Sequence, residues 1–142
     1  MIQTPPFLSR HPLGPNDAAA LAAMRLKASS AKGLLRGAEA RETFDAMMES
    51  VPPPVGVRFE DDTVGGIAGT WVHPSRARSG QVILYLHDGW FNLESARAYR
   101  NFVGHIATKV RARAFIPNYR LAPEDPFPAA VRDVHACYRC LE

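Results

Sequence analysis

The chain has 142 residues, of which 46% are hydrophobic and 22% charged, with a formal net charge of +3. That composition excludes a disordered segment, and the length is that of one domain with a substantial core. The excess positive charge is spread over short clusters (Arg76 and Arg78, then Lys109, Arg111 and Arg113) without interleaved aromatics, so no nucleic-acid surface is expected. No run approaches the roughly 18 apolar residues of a membrane span, and no basic segment with an apolar core opens the chain. The reading is a cytoplasmic protein, its two cysteines reduced thiols.

Asn16 is placed to cap a helix running to about Lys32, with Leu21, Met24 and Ala28 on one face. A second helix is expected over Glu39–Glu49, burying Phe44, Met47 and Met48, until Pro52-Pro53-Pro54 ends it. The Ala-rich helical front differs in texture from the rest of the chain, which places a division between 1–51 and 52–142. Val55, Val57 and Phe59 alternate with Gly56, Arg58 and Glu60 as in a strand; Asp61-Asp62-Thr63 with Gly65-Gly66 reads as the turn, and Ile67–His73 as the return strand. Gly65–Gly69 has the look of a phosphate loop, but no helix signal comes after it, and hairpin glycines account for it.

Val82–Leu86 is apolar throughout, the pattern of a strand buried on both faces within a parallel sheet. Ser95 caps a helix to about Lys109, with Tyr99, Phe102, Val103, Ile106 and Val110 at helical spacing. Ala112–Pro117 is the next strand. Phe127, Val131, Val134, Tyr138 and Leu141 recur at intervals of four and three, so a last helix is expected from Pro128 with those residues as its buried stripe and Cys137 near the edge. The second half is thus β-α-β-α, which requires a mostly parallel sheet in an α/β fold.

Chemistry concentrates in two segments. His87-Asp88-Gly89-Trp90 comes directly after the apolar strand, and Tyr119-Arg120-Leu121-Ala122-Pro123-Glu124 precedes Phe127-Pro128-Ala129-Ala130 and Asp133. Together they resemble the N-terminal part of an α/β-hydrolase of the hormone-sensitive-lipase type, over about residues 55–142. The resemblance implies a partial α/β-hydrolase fold with cap-like helices in 1–51 and a core from 52–142. It also implies carboxylic-ester chemistry on small acyl esters, without cofactor or metal.

His87 would orient an oxyanion loop whose Gly89 and Trp90 N–H groups face the charge that develops on an ester oxygen. Arg120 and Glu124 would pin a loop beneath it. Asp88 and Trp90 stand where that family has glycine, and Asn118 where it has an acid, which the resemblance places in the network around Arg120. A carboxylate at 88 would oppose the developing charge, and a left-handed Trp90 would cost about 1–2 kcal/mol.

The chain has no Gly-x-Ser-x-Gly: Ser9, Ser29, Ser30, Ser50, Ser75, Ser79 and Ser95 all lack the flanking glycines. In the family this element would lie on the order of 15–20 residues beyond Glu142. A non-catalytic relative binding a small ligand or partner, or a truncated product, are the competing readings. Val82–Leu86 would leave an open apolar edge, which predicts self-association. His135, Cys137 and Cys140 form an H-x-C-x-x-C cluster, but a structural zinc needs four ligands and a helix-flank reading suffices.

Overall fold

The structure, a computed structural model, describes residues 12–31 and 37–142. Residues 1–35 and 36–142 form two compact units. In the first, helix α1 (Pro15–Ala31) begins one residue before the expected cap. Pro15 takes the first helical position, where its missing N–H is no loss, and Ala18 N donates to Gly14 O at 2.9 Å. The expected end, Lys32, lies outside the described residues.

The second unit opens with a 3-10 turn and helix α2 (Arg41–Glu49). Phe44 and Met48 are partly buried, whereas Met47 is exposed. Strands β1 (Val57–Val64) and β2 (Ile67–Pro74) pair antiparallel. Asp61, Asp62 and Thr63 belong to β1 rather than to the turn, which is the two residues Gly65-Gly66 at φ 60° and 82°. A two-residue loop of that hand matches the strands' twist, so the chain reverses there and the acids stay paired. Gly65 also packs against the last helix: a Cβ on it would lie 2.4 Å from Ala136 O.

The remaining elements are β3 (Val82–Leu84), α3 (Ala96–Val110), β4 (Arg113–Pro117) and α4 (Ala129–Leu141). The sheet runs β1-β2-β4-β3, and only β3 and β4 are parallel. It is therefore a mixed sheet. β3 is neither central nor buried on both faces: its three residues are half-buried, Leu86 is exposed, and among the described residues its outer edge has no partner strand.

Alternation along the strands separates two layers. Val72, Ala114, Ile116, Ile83 and Tyr85 meet Tyr99 and Val103 of α3 on one face, while Phe115, Trp71 and Leu84 meet Cys137 and Leu141 on the other. Ser95 caps α3, its hydroxyl accepting from Ala98 N at 3.3 Å. α2 lies along α3 through Ser95–Asp45 at 2.9 Å, and Asn101 Nδ2 donates to Val51 O at 2.8 Å. α4 turns inward Ala130, Asp133 and Cys137; Phe127, Val131 and Tyr138 of the expected stripe are exposed, and Cys137 is fully buried.

Candidate functional site

His87 sits where β3 leaves the sheet. Tyr85 N still donates to Phe115 O at 2.9 Å, and the chain then departs at the carboxyl end of the parallel pair, where α/β sheets place their sites. The backbone next turns left-handed at Gly89 (φ 107°), Trp90 (53°) and Phe91 (61°), and again at Glu94 (74°). Gly89 O accepts from both Asn92 N and Leu93 N at 3.0 Å. A Cβ at 89 would lie 2.7 Å from Leu93 O, so the position requires glycine.

The His87 ring is buried and stacked on Tyr119, centroids 4.3 Å apart and planes within 11°. The Tyr119 hydroxyl donates to His87 O at 2.5 Å. His87 Nδ1 lies 3.0 Å from Asp88 O, which can only accept, so Nδ1 carries the proton. Burial pushes the His87 pKa below its usual range, keeping the imidazole neutral with Nε2 as an acceptor. The Asp88 carboxylate takes the Tyr99 hydroxyl, which also reaches Glu94 Oε2 at 2.7 Å. Asp88 therefore spends part of its charge on a hydrogen bond, and that bond holds its carboxyl below the ordinary range.

A cleft of about 350 Å³ opens over this loop, lined by Phe44, His87, Gly89, Trp90, Phe91 and Tyr119 among others. The three residues expected from sequence to form the loop's working part, His87, Gly89 and Trp90, all border it. Among the described residues, neither Gly89 N–H nor Trp90 N–H has a hydrogen-bond partner.

The charged pair Arg120 and Glu124 is split. Arg120 grips the buried Asp133 through Nε at 3.0 Å, Nη2 at 2.8 Å and its backbone N at 2.9 Å. Glu124 instead pairs with Arg41 of α2, whose guanidinium also donates to Asn92 O at 2.9 Å and Ala122 O at 2.7 Å. Asn118 does not join the Arg120 network: its Oδ1 accepts from Ala96 N at the start of α3, at 2.9 Å. Among the described residues, no group of three His, Cys, Asp or Glu side chains could hold a metal ion.

Sequence reasoning missed Arg41, Phe44, Glu94 and the role of Tyr99. Arg41 is 83 residues from Glu124, and no local spacing announces such a pair. Glu94, by contrast, left a trace: an acid directly before a helix cap and six residues after Asp88.

Residues 83–142 match the profile of the α/β-hydrolase fold family. An acetyl-hydrolase of Streptomyces hygroscopicus is 40% identical over 79 residues, 56% of this chain and 26% of that protein. Among solved structures, an esterase of the bacterial hormone-sensitive lipase family superposes with a TM-score of 0.78 at 33% identity, over 92% of this chain and 43% of the other. A hormone-sensitive lipase from a metagenome library gives 0.78 at 31% identity, over 87% and 41%. Over these residues the chain is similar to α/β-hydrolases of the hormone-sensitive-lipase type. It spans about a quarter of the length of the acetyl-hydrolase and 43% and 41% of these two solved relatives.

Proposed function

We propose that this chain is the oxyanion-loop part of a serine carboxylic-ester hydrolase acting on small acyl esters, and that it is inactive alone because it carries no nucleophile. The reading rests on one observation. Gly89 and Trp90 border an aromatic cleft directly behind a neutral histidine held by stacking, and among the described residues their N–H groups have no partner. Two such donors suit an oxygen on which negative charge develops, and each is worth roughly 3–4 kcal/mol of transition-state stabilisation when preorganised. His87 and Tyr119 fix the loop's root; Phe44, Trp90 and Phe91 supply apolar surface for an acyl or alcohol group. The helices within 1–51 are read as cap-like and 52–142 as core. The open β3 edge is read as the contact for a further strand, from another polypeptide segment or a second copy.

Asp88 supports a second reading, a non-catalytic relative that binds a small ligand or partner, since a carboxylate beside the loop disfavours an anion. Hydrolysis of p-nitrophenyl acetate separates the two. Residues 1–142 alone are expected to match buffer. Joined to a segment bearing Gly-x-Ser-x-Gly, the protein should turn the ester over, and replacing that serine by alanine should abolish turnover. Serine-dependent hydrolysis by residues 1–142 alone would overturn the first reading, and a completed protein that binds but never cleaves esters would favour the second.

A further inference from the structure

Three oxygens meet behind the loop, and their protons do not balance if both acids are ionised. Tyr99 Oη lies within hydrogen-bonding distance of Asp88 Oδ1 and is 2.7 Å from Glu94 Oε2. A phenol has one proton and can satisfy one carboxylate; the second contact needs a proton of its own. Among the described residues, no cation supplies the balance. The titratable groups facing the cluster are Asp45 from α2, Tyr85 from the end of β3, the neutral His87, and Tyr119 after β4. Asp45 adds negative charge, which opposes a second ionisation.

The two acids are unequal hosts for the extra proton. Glu94 is 8% exposed, while Asp88 is open to solvent. Desolvation pushes the Glu94 carboxyl above its ordinary value, and the Tyr99 hydrogen bond draws Asp88 below its own. The proton therefore resides on Glu94. Position also matters: residues 88 and 94 are the two ends of the left-handed loop, and both are tied to one hydroxyl on α3. Glu94 itself is left-handed without being glycine, a conformation unfavourable to side chains that the inward-held carboxyl maintains.

We propose that Glu94 is a positioning residue: through Tyr99 and Asp88, its proton closes the 88–94 loop in the shape that presents the Gly89 and Trp90 N–H groups, and loss of that proton releases the loop. The catalytic meaning of this lock rests on the oxyanion-loop reading above; the lock itself does not.

The test uses the 142-residue chain with Trp71→Phe, which leaves Trp90 as the single tryptophan. Infrared spectra across a pH series are expected to show a protonated-carboxyl band surviving above pH 4.5, the ordinary glutamate value, and Trp90 emission should shift with the midpoint of that band's loss. Glu94→Gln, permanently neutral and still able to donate, should abolish the band and leave Trp90 emission independent of pH, whereas Asp45→Asn should keep both transitions. A carboxyl population that titrates wholly in the ordinary range would overturn the proposal. So would Trp90 emission that stays flat through the band's loss, or a Glu94→Gln chain that titrates like the parent. The parent titration alone decides the matter should the variant not fold. An inactive completed hydrolase would sink the functional reading and leave these titrations unchanged.

Discussion

Trp90 shows how a single residue can be placed against its own preference. It is 84% exposed, so its ring gains little from packing, yet its backbone sits at φ 53°. Trp90→Gly should therefore stabilise the chain by about 1 kcal/mol, seen as a higher urea midpoint at unchanged slope. Tyr119 is the opposite case, buried and used at both ends of its ring. Tyr119→Phe keeps the stack on His87 but leaves the His87 carbonyl without its donor. A loss of about 1–2 kcal/mol is expected by the same measurement, since a buried acceptor left unpaired costs more than an average hydrogen bond returns.

At the scale of elements, helix rotation and loop anchoring depend on long-range pairs. The apolar spacing of α4 predicts that its largest stripe is buried. Instead α4 buries Asp133, because Arg120 reaches in to neutralise it, and Cys137, because Gly65 lets the hairpin tip approach. Gly65→Ala should drive a methyl into the Ala136 carbonyl in a backbone region unfavourable to side chains. The expected loss exceeds about 2 kcal/mol, read as a lower thermal midpoint. α2 is anchored by Arg41, and Glu124 feels the pairing: its carboxyl is pulled down to about 2 by the Arg41 hydrogen bonds. A depressed acid contributes stability above its ordinary pKa of 4.5 and loses it as pH falls through the folded value. Arg41→Met should thus move the onset of acid unfolding to higher pH, an effect that shrinks with added salt because Glu124 is exposed.

On the scale of the whole molecule, the sheet order β1-β2-β4-β3 leaves β3 at one edge, with Leu86, Val131 and Tyr138 exposed. Short as β3 is, an apolar unpaired edge favours association. Light scattering at tens of micromolar is expected to report species larger than one chain, and a monodisperse monomer would remove that reading.

Much of this architecture is legible in the residues. Glycine pairs, the prolines at 52–54, the Ser95 cap and the alternation of Val57 and Phe59 with Arg58 and Glu60 are local signals, because turns, caps and pleats depend on neighbours within a few positions. The Tyr119–Glu124 segment likewise identifies the fold, and the residue order alone puts His87, Gly89 and Trp90 together in one loop. What only the tertiary structure decided were interactions between residues far apart in sequence. These are Arg41 with Glu124, Asn118 with the start of α3, the inward turn of Asp133, and the Asp88–Tyr99–Glu94 cluster. Apolar character shows that a residue prefers to leave water, and charge shows that it requires a partner. Which partner arrives is set by how the elements pack in three dimensions.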